Sequence, residues 1–370
     1  WPKSTILNVT YNRVLPYDID MTLTLLKSKE EEALYRIIDT GYPLVGDEPT
    51  VPTEKAPDGR PIYDQKEVRG YHAGLYNVCC GDREVFSASL SKGFRDGDTF
   101  LTFAYTAQDH QNRSDMTSST SNSNFGKTGA VDFNNRMKNR STYETEHSFL
   151  ITLTSKHYFF GGNAPTTFSL VYAKESGNVK YPTFDTYTSW PGDYKSKAFG
   201  YEFNLNDDSS SLLYIPTAND PLVCYSYKCT DEGSGDALQR ESEILNFLYN
   251  VWGLEDYAGE IAPRDAGNFP WQTSLDLNIV QELPGFREGD AFVITLALEN
   301  LLNFIDDDKG IIKYGYYSGR VPVLDLRIVD GERYDYSRNA FRYSFDDPFN
   351  IDRSTTQSLW RASLGIQYKF

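Results

Sequence analysis

The sequence predicts an all-β chain forming part of a transmembrane antiparallel β-barrel, and three observations carry that expectation. Apolar and polar residues alternate one for one in segment after segment. Aromatics make up 15 % of the chain, with 27 Tyr and 22 Phe, while the mean hydropathy is only −0.52. The connections between segments alternate between tight turns and long excursions. Alternation alone also describes a half-buried strand in water, because a period of two reports a strand and not the solvent on its apolar face. Abundant Tyr and Phe at low mean hydropathy fit a membrane barrel, in which only alternate residues meet lipid and aromatic girdles mark both interfaces.

The segments follow in order. Thr5, Leu7, Val9 and Tyr11 form one apolar row, and across "RVLPYD" the row Ile19, Met21, Leu23, Leu25 answers it. Phe86, Ala88, Leu90 and Phe94 are joined by "RDGD" to Leu101, Phe103, Tyr105 and Ala107, and these turn residues suit a hairpin. Phe149, Ile151 and Leu153 lead through "GGNA" to Phe168, Leu170 and Tyr172. Trp271, Thr273, Leu275, Leu277 and Ile279 lead through "GFREGD" to Phe292, Ile294, Leu296 and Leu298. A weaker pair, "VPVLDLRIV" and "RYDYSRNAFRYSF", flanks "DGE", and "SLWRASLGIQYKF" closes the list.

The total is about eleven strands, mostly about 10 to 13 residues long, where a tilted membrane strand needs about 9 to 11. The long connections are residues 28–82, 110–144, 177–270, 302–319 and 345–355, read as extracellular loops, and the five tight turns then face the periplasm. An odd count of antiparallel strands does not close, and open apolar edges in lipid would leave backbone groups unpaired. The chain, which opens at Trp1 without an initiator Met, is therefore expected to be one part (1–370) of a larger barrel.

A net charge of −16 argues against a nucleic-acid partner, since a phosphate backbone calls for a basic face. No run of about 18 apolar residues exists to make a helical span. His72, His110, His147 and His157 are scattered, with no nucleophile-elbow or metal-pair spacing around them, so no catalytic residue and no enzyme activity is expected. The glycines of the tight turns lie between strands, with no helix behind them to hold an anion.

The closing "SLWRASLGIQYKF", with "FVITLALENLLNFIDDD", "YAGEIAPRDAGNFPWQTSLDLNIVQEL" and "NLNDDSSSLLYIP", resembles the C-terminal half of a TonB-dependent receptor, most nearly the Oar-like branch. The resemblance covers essentially the whole chain and is strongest after about residue 140. It implies a 22-stranded barrel with an N-terminal plug, of which this chain would supply strands twelve to twenty-two. It implies a bacterial outer-membrane location with a periplasmic C-terminus, and energised uptake of a ligand bound at the extracellular loops. The implied partners are outer-membrane lipid, the plug and remaining strands, TonB through the part outside this chain, and the barrel assembly machinery. That machinery would read Trp360, Leu364, Ile366, Tyr368 and Phe370 as its signal.

Four groups of residues are site candidates. Cys79, Cys80, Cys224 and Cys229 fall in predicted outer loops, where disulfides are permitted. Cys224 with Cys229 closes a small ring, and the rival is two bridges tying the first long loop to the third, because Cys79 with Cys80 needs a vicinal bond. Asn204, Asn206 and Asp208 alternate as the first ligands of a calcium loop do, but without the following Gly or distal Glu. A structural calcium is the candidate cofactor there, with a solvated turn the preferred reading; Asp306, Asp307 and Asp308 read as a turn as well. Tyr181, Phe184, Tyr187, Trp190 and Tyr194 are dense enough to grip a peptide or sugar face, or to make the small core that a long loop needs. "DALQRESEILNFLYNVWGL" reads as a helix, with Asp236 and Gln239 in capping-box spacing and Leu238, Ile244, Leu245, Leu248 and Val251 on one side.

Two rival functions fit the same pattern. One is a passive or structural outer-membrane barrel, porin-like or adhesin-like. The other is a secreted all-β glycan-binding protein, whose apolar faces would meet across a sandwich.

Overall fold

A computed structural model describes residues 1–39, 54–62, 72–113, 115, 119, 124, 128–132, 135–159, 164–185, 211–314, 319–329, 331–337, 352–353 and 358–370. The chain is all-β. Among the described residues nine long strands follow one another in a single antiparallel meander: β1 (Lys3–Leu15), β2 (Ile19–Asp39), β3 (Gly81–Phe94), β4 (Thr99–Asn112), β5 (His147–His157), β6 (Thr166–Glu175), β7 (Gln272–Pro284), β8 (Ala291–Glu299) and β9 (Arg361–Lys369). His72–Val78 on β2 and Asn139–Arg140 on β4 bring the sheet to 11 strands. Its outer edges are β1 and β9, which do not pair with each other among the described residues.

Four tight connections lie on one side of the sheet, at 16–18, 95–98, 158–165 and 285–290. Tyr17 and Asp18 in the first, and Arg95 and Asp96 in the second, adopt φ values of 53–68°, which match the twist of the flanking strands. All long excursions leave from the other side, so β9 runs toward the tight-turn side and the chain ends there.

The long excursions build a second layer, an outer cap with its own core. Val179–Asp185 pairs in parallel with Arg320–Asp325 and antiparallel with Gly267–Asn268. Val223–Cys224 runs parallel to Arg333–Asp335, which pairs antiparallel with Ile328–Val329. Phe184, Leu213, Ile215, Ile244, Leu248, Leu254, Leu324, Tyr334 and Tyr336 are buried together beneath helix α1 (Gly235–Asn246). Short helix α2 (Leu301–Ile305) follows β8.

Several expectations are corrected. Neither "VPVLDLRIV" nor the described start of "RYDYSRNAFRYSF", Arg333–Asp335, is a wall strand, and residues 338–345 lie outside the described residues. Arg320–Asp325 is six residues long and buried along its whole length, too short to span and covered on both faces. The described part of 302–319 leads from β8 into the cap, most of loop 345–355 lies outside the described residues, and "DGE" falls between the two short cap strands Ile328–Val329 and Arg333–Asp335. Loop 28–82 is partly strand: β2 continues to Asp39 and His72–Val78 returns beside it. The N-cap of α1 is Ser234, whose hydroxyl accepts from the Ala237 amide at 3.2 Å, and Asp236 lies inside the first turn. The buried side of α1 and its continuation is Ala237, Ile244, Phe247 and Leu248, whereas Leu238 and Val251 face solvent.

Candidate functional site

Register decides what the wall presents. In an antiparallel sheet, directly opposed residues share a face. Val9 opposes Leu25, and Leu25 opposes Phe86. Leu90 opposes Phe103, and Phe103 opposes Ile151. Ile151 opposes Tyr172, which opposes Leu275. Ile279 opposes Leu296, and Leu296 opposes Leu364. One apolar belt therefore crosses all nine strands on a single face. Leu364 and Ile366 are 69 % and 70 % exposed, and Leu90, Leu101 and Phe103 are also open. Burial of such side chains is worth about 1.5–3 kcal/mol each in water, and among the described residues no second layer covers them.

The opposite face is largely polar, with Phe100, Leu150 and Val171 among its hydroxyls. Thr22 donates to Asn12 at 2.8 Å, and Ser87 pairs with Thr106 at 2.9 Å and Ser91 with Thr102 at 3.0 Å. Asn278, Gln367 and Arg361 continue it. In the terminal strand, Leu364, Ile366 and Tyr368 lie in the belt against Leu296, Ile294 and Phe292, while Arg361, Gln367 and Lys369 point to the polar side. Trp360 and Phe370 continue the even-numbered row, with Phe304 edge-on to Trp360 at 5.0 Å and Tyr368 stacked on Phe370 at 6.4 Å.

Aromatic rings bound the belt above and below. On the cap side, Tyr105 donates to or accepts from His147 Nδ1 at 2.9 Å and packs on Phe149 at 4.8 Å. His147 stacks on Trp271 at 6.1 Å, and the Lys174 ammonium lies 5.1 Å over the Trp271 ring. On the tight-turn side, Phe168 and Phe159 flank His157, and Phe286, Phe292 and Tyr368 form a second cluster. Lys92 lies over both Tyr17 and Phe94 there. From His147 to His157, β5 covers about 33 Å along the strand, or roughly 25 Å along the normal at a 40° tilt, the height of an outer-membrane barrel's apolar band. The sequence places Tyr105, Phe149, Phe168, Trp271 and Phe292 in the apolar rows without assigning them to a girdle, although the signal is present: aromatics at both ends of alternating segments.

Beyond the cap-side girdle the belt face turns charged. Lys27 pairs with Glu84, Lys138 with Asp82 and Lys3 with Glu31. The cap is tied to the strand tops by a polar cluster. Arg140 donates to Glu144 at 2.6 Å, Glu146 at 3.0 Å and Asn268 at 2.6 Å. Arg264 donates to the Asn112 carbonyl at 2.7 Å and lies 3.6 Å from Asp115. Burial holds the Glu144 carboxyl above its ordinary range despite the backbone amide of His110 and the guanidinium of Arg140. Burial likewise pushes the Lys180 ammonium down to about 8, where it sits 4.8 Å over the Trp252 ring.

Tyr181 and Phe184, expected as ligand contacts, are both 0 % exposed and serve as cap core. Phe184 packs 5.3 Å from Tyr334 and 6.0 Å from Tyr336, and the Tyr181 hydroxyl accepts from the Gly129 amide at 3.0 Å. A ligand does not reach them; the long loop used these aromatics to bury itself. Tyr187, Trp190 and Tyr194 lie outside the described residues, as do the calcium candidates Asn204, Asn206 and Asp208. Asp306 closes a turn, accepting from the Asp308 amide at 3.1 Å and pairing with Lys309. Among the described residues no group of three or more His, Cys, Asp or Glu is disposed to hold a metal. Cys224 and Cys229 form a disulfide, and so do Cys79 and Cys80, in place of bridges between the first and third loops.

Comparison of the chain with protein-family models gives no match, and comparison with curated proteins gives none either. The belt, its girdles and the self-cored cap are therefore the basis for a functional reading.

Proposed function

We propose that this chain is wall and outer cap of a TonB-dependent receptor in the bacterial outer membrane, taking up a ligand captured on the extracellular side with energy from the proton-motive force. The observation that carries the membrane part is the apolar belt, continuous over nine strands and bounded by two aromatic girdles roughly 25 Å apart. Lipid covers that belt in this reading, and the hydroxyl-rich face lines a lumen occupied by a plug.

Nine wall strands would be the fourteenth to twenty-second of such a barrel, two fewer than the sequence suggests. Because the difference is even, the direction of each strand is unchanged and the C-terminus stays periplasmic. The two edges, β1 and β9, would pair with the remaining strands of the barrel. The Trp360, Leu364, Ile366, Tyr368 and Phe370 row would serve the assembly machinery. A secreted sandwich fits less well, since its belt would need a facing apolar layer.

Nitroxide labels placed at Leu277 and Asn278 of the full-length protein in outer membranes test the wall. Oxygen should broaden the Leu277 label and a water-soluble nickel chelate the Asn278 label; the same accessibility at both would sink the membrane reading. For transport, ligand uptake by cells that lose it on collapse of the proton-motive force supports the receptor. Uptake insensitive to that collapse supports the passive barrel.

A further inference from the structure

We propose that the Cys79–Cys80 disulfide is an exchange site for small dithiols, and that its reduction converts the outer end of the β2–β3 hairpin into one continuous ladder. Ala33 pairs with Val78 and Glu30 pairs with Gly81, so both stretches share one register. Between them Glu31 and Glu32 face Cys79 and Cys80, which belong to neither strand. The ladder is interrupted at the disulfide and nowhere else between Ile19 and Asp39 of β2.

The interruption has a local cause. Cys80 has φ 95°, a backbone conformation that a residue with a Cβ rarely adopts. Its amide donates to the Glu30 carbonyl at 3.1 Å, outside the regular pairing. The vicinal ring enforces this backbone, and opening the ring frees Cys80 to become extended like its neighbours.

The two cystines differ in access. Cys79 is exposed and Cys80 partly so, whereas Cys224 is 0 % exposed inside the cap core and Cys229 only partly exposed. Attack needs a thiolate to reach a sulfur, so the exposed cystine exchanges first. A thiolate of the dithiol attacks Sγ of Cys79, the S–S bond breaks, and Cys80 departs as a thiolate and takes a proton. The second thiol then attacks the mixed disulfide and closes the reagent into a cyclic disulfide, releasing Cys79 as a protonated thiol. Two electrons and two protons pass from the dithiol to the pair. A monothiol stalls at the mixed disulfide, which the adjacent Cys80 reverses. Glutathione, a monothiol, stalls in this way, and the Glu32 carboxylate opposite Cys79 adds to its disadvantage as an anion, while Glu31 is paired with Lys3.

The test uses the full-length protein in isolated membranes, titrated with dithiothreitol, trapped with iodoacetamide and read by peptide mass spectrometry, with backbone hydrogen exchange in parallel. The expected result is alkylation of Cys79 and Cys80 at concentrations that leave Cys224 and Cys229 paired. Exchange at residues 31–34 and 77–80 should slow by roughly tenfold, the worth of about one added ladder hydrogen bond. The double variant Cys79→Ser with Cys80→Ser should show the slower exchange without reductant. Simultaneous reduction of both cystines, equal yield from glutathione at the same thiol concentration, or unchanged exchange in the reduced protein and the double variant would each overturn the proposal.

Discussion

Leu170 and Leu277 face each other directly across the β6–β7 pair, although most of the outer cap lies between them in the sequence. Leu277 also opposes Leu298 on its other side, which puts it near the middle of the belt. If lipid covers the belt, as proposed, replacing Leu277 with Arg should destabilise the folded wall by about 2–4 kcal/mol, the cost of a cation at mid-bilayer depth. Asn278→Arg, one residue along and on the polar face, should cost well under half of that. Denaturant titration of both variants in lipid vesicles reads the difference.

Truncating Phe184 to Ala should unfold the cap and spare the wall. Its ring is buried against Tyr334 and Tyr336, and such a deletion costs about 3–5 kcal/mol. Limited proteolysis should then release fragments from 211–270 while the long strands remain protected. Were Phe184 a ligand contact instead, the variant would keep the protease resistance of the parent.

Lys180 makes cap stability depend on alkaline pH. Its native value of about 8 lies below the ordinary 10.5, so the folded cap binds fewer protons than the unfolded chain between those values. The penalty is complete below about pH 8 and fades as pH rises toward 10.5. Hydrogen exchange at residues 179–185 should therefore slow, relative to intrinsic rates, from pH 8 to pH 10. Lys180→Met should abolish that trend and stabilise the cap at pH 7.

Gly310 is predicted to be intolerant of alanine. It has φ 63°, and a Cβ there would stand 2.1 Å from Asn300 Oδ1. The Asn300 amide nitrogen donates to the carbonyls of Gly310 and Ser358, each at 2.8 Å, so that side chain has little room to retreat. Gly310→Ala should cost about 1–3 kcal/mol, read as a lowered unfolding midpoint of the region joining β8 to β9.

The wall was legible because each hairpin announces itself locally. Leu101 to Ala107 alternate, "RDGD" supplies the turn, and the partner strand is adjacent in sequence. The cap was not, because its pairings are distant: Tyr181 meets Arg320 and Val223 meets Tyr334. No local pattern distinguishes a buried parallel strand from a weak spanning one, so "VPVLDLRIV" was read as wall. The aromatics of the third loop were ambiguous for the same reason. Tyr181 and Phe184 look alike whether they await a ligand or a core, and only partners such as Tyr334, far along the chain, decide between the two. The vicinal cystine was disfavoured on covalent grounds, which take no account of the strand register that brings Glu31 and Glu32 opposite it.

Glu175 opposes Gln272, so the chain leaves the wall and re-enters it through adjacent positions. An insertion or deletion between those two residues leaves the spacing of every wall strand as it was. The cap segment is in this sense an insert whose length is independent of the wall's register, while its partners Arg320–Asp325 and Arg333–Asp335, which enter from the other excursion, limit which residues it can exchange.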